Sequence, residues 1–528
     1  MERRMANTFA VSRAQLIYAV CLPLAVLLGY LLADPVDQGN LAIVVLVVGV
    51  LSVPVVMRWY HPLLIFTWNA VVTFYFLPGR PYLWMIFALT GLFFAILNRT
   101  TSAEARFVDV PSIHRPVLFI AAVVVATAWL RGGIGVRSLG SAHFGGRNYF
   151  MILAGAAGYF AMISQRIPRE RTNLYVGLFF LTGLTALVAN LAFMAGSHFD
   201  FLYYIFPPEL AQEQVLAENR LSSGIFRLYG LTVGSNAVCC WLMAQYGLRG
   251  VFDWKKPWRG LLLIAAGVAC LYSGFRSSLG LFGLTLLAQL CCEGLFRPRV
   301  LILGSVSLVV GGLLLAPLSE RLPLSIQRTI SFLPVEISPM AKFSAESTAE
   351  WRFQMWKEVL PDIPRYLLKG KGYSFDPSEL AFAEENAGRG YTSQYEGTIM
   401  VGDYHSGPLS VIIPFGIWGV IGFIWFLAAT LRYLYRNYRD GDLALRQINT
   451  FLLAYFIARI LQFIFVFGGF YSEFYVFAGL AGLSASLNGP IRAKEEEETS
   501  AETEEELAYH EGFTPGQLRS FRRLRERL

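Results

Sequence analysis

Residues 408–431, PLSVIIPFGIWGVIGFIWFLAATL, run without a single charged side chain. A helix rises ~1.5 Å per residue, so a stretch this long covers the ~30 Å of a bilayer's hydrocarbon. The same kind of apolar block recurs along the chain, mostly about 17 to 22 residues at a time. Fourteen are read as spans: 15–33, 41–57, 61–77, 82–98, 116–130, 148–164, 174–194, 228–246, 259–274, 277–293, 300–317, 408–431, 448–467 and 471–488. The fold expected is therefore all-α, a polytopic helical membrane protein with about 14 transmembrane helices. Spans 1–11 occupy 1–317, a large external loop with amphipathic helices occupies 318–407, spans 12–14 occupy 408–488, and a charged tail fills 489–528.

Composition agrees. Of 528 residues 55% are hydrophobic and 15% charged, whereas soluble domains carry about a quarter charged residues. That excludes a string of soluble domains, and no nucleic-acid partner is expected. Arg3, Arg4 and Arg13 precede the apolar run Gln15–Ala33 without a small-x-small cleavage site, so the run is taken as the first span and not as a removed signal. Cys21, Cys239, Cys240, Cys270, Cys291 and Cys292 all fall in or beside spans, as small apolar helix residues and not as a disulfide or metal framework.

Short loops set orientation. With the N-terminus inside, the cytoplasmic segments hold 20 Lys and Arg apart from the tail, and the short external loops hold seven. Both termini are then cytoplasmic and the long loop is external, periplasmic in a bacterium. The tail from Arg492 reads as an acidic linker followed by a basic end, Arg519 to Arg527, either disordered or resting on the anionic inner face.

Chemistry in water has few places to occur in such a chain. Arg227 stands just before a span in Arg227-Leu228-Tyr229-Gly230-Leu231, with Asn236 two turns on, and Arg276 occupies the tight turn Tyr272 to Ser278. A permanent charge at a membrane edge needs a partner, and a guanidinium fork suits a phosphate. In the loop, Glu350-Trp351-Arg352-Phe353-Gln354-Met355-Trp356 places Arg352 and Trp356 on one helix face, and Gly370-Lys371-Gly372 permits a tight turn. His405 closes the loop in Asp403-Tyr404-His405-Ser406-Gly407-Pro408, where a group titrating near ~6.5 is suited to proton transfer and Asp403 is placed to orient it. Each residue has a plainer reading: arginines that snorkel or pair locally, tryptophans of a surface helix, a merely exposed histidine. Asp440-Gly441-Asp442 reads as a turn, and Arg459, inside a span, has only Gln462 as a partner visible in sequence.

The ordered pattern resembles the O-antigen ligase and polymerase family of bacterial membrane glycosyltransferases. The likeness runs from about Arg227 to Gly422: Arg-Leu-x-Gly with a following Asn, an Arg in a short external turn, Arg-x-x-x-Trp and Gly-x-Gly in a large external loop, and a histidine just before a glycine-rich helix. The resemblance implies transfer of a glycan from undecaprenyl diphosphate to an acceptor hydroxyl on the periplasmic side of the inner membrane. It implies Arg227 and Arg276 as diphosphate-binding residues and His405 as catalytic, with Arg352, Asn236 and Asp403 as further substrate-binding candidates. It implies no metal or other cofactor. The partners it implies are a lipid-linked glycan donor, a glycolipid or glycan acceptor, and membrane lipids. A repeat-unit polymerase and, in another class, a transporter are the competing readings. Two departures stand out. The family commonly has about twelve spans, and Ser406 stands where the family often has Asn.

Overall fold

The computed structural model describes residues 22–30, 38–74, 77, 79–101, 107–134, 145–207, 227–298, 302, 304, 306, 310–312, 316–390, 393 and 395–490. Among them the regular structure is helical, with one isolated bridge between Thr73 and Tyr82. The helices in chain order are α1 (Gln38–Thr67), α2 (Leu83–Thr101), α3 (Pro111–Arg131), α4 (Gly146–Met162), α5 (Thr172–Leu181), α6 (Ala186–Ala195), α7 (Tyr229–Val251), α8 (Trp258–Tyr272), α9 (Arg276–Cys292), α10 (Leu324–Thr329), α11 (Pro339–Val359), α12 (Ile363–Tyr366), α13 (Pro377–Gly388), α14 (Glu396–Met400), α15 (Gly407–Asp440), α16 (Arg446–Leu461) and α17 (Phe470–Asn488). Five helical stretches among the described residues are long and apolar enough to cross a membrane: Leu83–Thr100, Pro111–Arg131, Arg169–Ala195, Gly407–Asp440 and Leu443–Val466. The chain is an all-helical protein with the helices of a polytopic membrane protein.

Fourteen separate spans are not shown among the described residues. The segment expected at 41–57 and the first seven residues of that expected at 61–77 share one helix, α1, with Pro54 and Pro62 inside it. A straight helix cannot reverse between two crossings. Arg58 and His61 look like a polar break in the sequence. His61, however, is buried, with its Nε2 2.7 Å from Met162 O and 3.2 Å from Ser486 Oγ, so a packed bundle and not water satisfies it. Beyond α1 the chain runs extended. Asn69 Nδ2 donates to Phe179 O, Val71 N to Thr185 Oγ1 and Thr73 N to Ile205 O. Residues 1–21, 299–301 and 491–528 lie outside the described residues, and with them the start of the first expected span and the tail.

Hydrogen bonds between connections sort the bundle into two ends. At one, Leu228 N donates to Ser273 O, Thr73 N to Ile205 O and Tyr373 N to Tyr149 Oη. At the other, Ile167 N donates to Ser486 O, Tyr438 Oη to Cys292 O and Tyr433 Oη to Gly489 O. The polar segment between Ala316 and Ser406 folds as short helices over the first end. It is stitched into a break in α15, where Pro414 lies inside the helix and Gly416 has φ +62°. The break frees carbonyls, and the loop takes them: Lys371 N donates to Ile413 O at 2.7 Å and Gly372 N to Pro414 O at 3.0 Å, while Ile417 N turns back to Leu367 O. Gly370, at φ +64°, is required here because a Cβ would overlap the Pro414 carbonyl.

Candidate functional site

Arg227 precedes the first turn of α7, and the Leu228–Ser273 backbone bond holds it beside the turn that starts α9. Arg276 is the first residue of α9, and its Nη2 donates to Ala345 O of α11 at 2.7 Å. Arg352 lies on α11, its guanidinium 5.3 Å from the centre of the Phe467 ring. Between these three comes a residue that sequence reasoning passed over. Arg328, on α10, is 3% exposed. Its Nη1 donates to Gly274 O, its Nε to Ser344 Oγ and its Nη2 to Thr348 Oγ1. It therefore fastens the turn that carries Arg276 to the helix that carries Arg352.

Every one of these Arg328 acceptors is neutral. They take up three of its five N–H donors and leave its charge unbalanced. Among the described residues Arg276, Arg328 and Arg352 have no carboxylate within ion-pair distance. Burial, then the like charges of Arg227, Arg276 and Arg352, pull the Arg328 pKa down to about 9. Arg352 is also lowered, by burial first and then by Arg276 and Arg227, with Asp403 opposing. The bonds from Arg328 to Gly274, Ser344 and Thr348, and from Arg276 to Ala345, gather these arginines around the start of α9 and the middle of α11.

His405 borders that neighbourhood. Its ring lies between Trp351 and Phe467, each 5.4 Å away centre to centre. Phe467 thus has Arg352 and His405 as its polar neighbours. The backbone N of His405 donates to Asp403 Oδ1, and Nδ1 lies 3.3 Å from the same oxygen without the alignment of a hydrogen bond. Burial lowers the His405 pKa from 6.5. Asp403 opposes that shift and Arg352 adds to it, so the imidazole is neutral at neutral pH. The residue adopts φ +47°, a left-handed conformation that costs about 1–3 kcal/mol and persists only where neighbours enforce it. They do so here. Trp356 Nε1 donates to Tyr404 O on one side, and Gly407 packs against Phe463 on the other.

Trp351 and Trp356 therefore face the interior of the loop and not a membrane surface. Asn236 is drawn into packing: its Nδ2 donates to Thr232 O and to Ser278 Oγ, joining α7 to α9 below the arginines. Arg459 pairs with Glu473 Oε2 at 2.7 Å, not with Gln462, which donates to Ser277 O. The chain doubles back between α16 and α17 and brings that carboxylate alongside. Asp442 ion-pairs with Arg169 and accepts from Ala444 N, as a turn residue does. Among the described residues no group of three or more His, Cys, Asp or Glu is placed to hold a metal ion.

The arrangement is a cluster of arginines at one end of the bundle with an imidazole at its rim. No protein-family model matches the chain, and no curated protein matches it either.

Proposed function

We propose that this protein transfers a glycan from undecaprenyl diphosphate to an acceptor hydroxyl, in the manner of an O-antigen ligase, at the periplasmic face of a bacterial inner membrane. The reading rests on buried Arg328 with half-buried Arg276 and Arg352, three cations without a carboxylate at ion-pair distance, which an anion of charge two or more would neutralise. Unit charges about 4 Å apart attract by roughly 4 kcal/mol at an effective dielectric of ~20. A diphosphate offers several such contacts at once, and guanidinium forks grip it bidentately.

The acceptor oxygen attacks the anomeric carbon from the face opposite the diphosphate and inverts it. The carbon–oxygen bond to the carrier breaks, and charge grows on the departing diphosphate. In this reading Arg227, Arg276 and Arg352 meet that charge as it appears, so they favour the transition state over the ground state. Neutral His405 takes the acceptor proton, or orients the hydroxyl for attack. A repeat-unit polymerase would use the same donor half, with a second carrier-linked glycan as acceptor. Product size separates the two.

The test is transfer by the purified chain in lipid nanodiscs, with an undecaprenyl-diphosphate glycan and a glycolipid acceptor. Arg276→Lys and Arg352→Gln are expected to cut kcat/KM for the donor about tenfold or more. His405→Asn, a residue tolerated at positive φ, is expected to fold and to lose about 10²-fold in kcat. Wild-type rates from all three would remove the proposal.

A further inference from the structure

At the end of the bundle opposite His405, a groove of about 500 Å³ opens between the start of α3 and the last turns of α15. Three arginines line it: Arg115 from α3, and Arg432 and Arg436 one turn apart on α15. All three are exposed, and among the described residues none has a carboxylate within ion-pair distance. Tyr433 forms part of the wall, but its hydroxyl is committed to Gly489 O at 2.6 Å. Ser112 adds one hydroxyl, and the charge lining the groove is wholly cationic.

The other half of the argument is the surface beneath. The two helices close on each other where Gly422 meets Phe119 and Ile120, with no room for a Cβ. Toward the middle of the bundle from the arginines, Leu118, Ile421 and Trp425 are 57%, 46% and 43% exposed. Trp425 lines the groove and leans on Phe119 at 6.1 Å. A cationic pocket thus continues directly into an uncovered apolar stripe. A free anion would use only the first part. A molecule with a phosphate at one end and an acyl chain at the other uses both.

We propose that this groove binds one anionic membrane phospholipid, its phosphodiester held by Arg115, Arg432 and Arg436 and its acyl chain laid along Leu118, Ile421 and Trp425. Basic clefts between transmembrane helices suit such headgroups, and each arginine near the surface contributes about fivefold in affinity. The site is independent of the proposed transfer reaction and lies at the far end of the molecule from it.

The experiment titrates short-chain phosphatidylglycerol into the purified full-length chain in neutral detergent and follows binding by calorimetry. Short-chain phosphatidylcholine and inorganic phosphate are the parallel arms. Saturable phosphatidylglycerol binding is expected, with both comparison ligands far weaker. Arg432→Gln/Arg436→Gln should weaken it about 25-fold, and Arg432→Lys/Arg436→Lys should retain most of it. These side chains are exposed, so the unfolding midpoint in neutral detergent should stay at the wild-type value. Equal binding of phosphatidylcholine overturns the charge assignment. Equal binding of inorganic phosphate overturns the lipid. Undiminished phosphatidylglycerol binding by the Gln double variant overturns the site.

Discussion

At the scale of single residues, His405 and Arg328 make opposite demands on their surroundings. The His405 imidazole is kept neutral by burial, with Arg352 pushing the same way and Asp403 pushing back. A base with a lowered folded pKa binds fewer protons folded than unfolded once pH drops below 6.5. Its contribution to stability therefore declines as pH falls through that value and levels off beneath the folded one. For the proposed reaction the acid limb of kcat/KM should fall below pH 6.5. Asp403→Asn removes the opposing charge and should move the limb to still lower pH, while Arg352→Gln should move it up. A limb that ignores both variants would show that His405 does not transfer the proton. Arg328 is a positioning residue, and its loss should act through Arg276 and Arg352. Arg328→Met strands Gly274 O, at a cost of about 1–3 kcal/mol, and removes the bonds to Ser344 and Thr348, so kcat/KM for the donor and the unfolding midpoint should both drop. Arg328→Lys keeps the charge without the fork and should fall between. Unchanged values for the Met variant would dismiss the clamp. Arg276 and Arg352 were legible in the sequence because they stand where arginine is costly or at helical spacing from a tryptophan. Arg328 was not. Gln327-Arg328-Thr329 looks like ordinary loop, and its burial is built by partners 54, 16 and 20 residues away.

At the scale of elements, the loop and α15 form one unit. Pro414 and Gly416 break the helix, and the Gly370-Lys371-Gly372 turn takes over the two carbonyls the break exposes. The glycines were readable as a turn; that the turn completes another helix's hydrogen bonds was not, since the complementary break is more than 40 residues away in sequence. Lys371 is caught in the joint, its Nζ donating to Ile399 O at 2.9 Å, and burial pulls its pKa down to about 8. Gly370→Ala puts a Cβ into the Pro414 carbonyl and forces a positive φ on alanine. The expected result is a loop detached from α15, seen as new protease cuts between α12 and α13 and loss of transfer, with the remaining helices intact. A loop as protected as in the wild type would show that these backbone bonds do not hold it. The same contrast explains the spans. Helix formation is local, and most of the expected segments are helical among the described residues. The fate of His61 depended on Met162 and Ser486, and so α1 was divided in the sequence reading where the protein does not divide it.

At the scale of the whole molecule, orientation no longer rests on counting crossings, because the two ends of the bundle can be compared directly. The short connections opposite His405 carry Arg166, Arg169, Arg171, Arg249, Lys255, Lys256, Arg439 and Arg446, beside the groove arginines Arg432 and Arg436. The short connections on the His405 side carry Arg80, Arg131, Arg147, Arg227 and Arg276, two of which belong to the proposed site. The proposed orientation follows the rule that such an excess faces the cytoplasm in helical membrane proteins, with the His405 end outward. The assignment also fits the chemistry: a lipid-linked donor displayed outside and an anionic inner leaflet against the arginine groove. Phe382 on α13 is 66% exposed and Leu443, beyond α15, is 82% exposed, at opposite ends of the bundle. With the native cysteines replaced, Phe382→Cys should react with a membrane-impermeant maleimide on intact spheroplasts, and Leu443→Cys only after lysis. The reverse pattern would place the arginine cradle in the cytoplasm, where the proposed donor would have to be reached before its export. Labelling of both in intact spheroplasts would mean that the bundle does not separate two compartments, and the membrane placement of the site would fall with it.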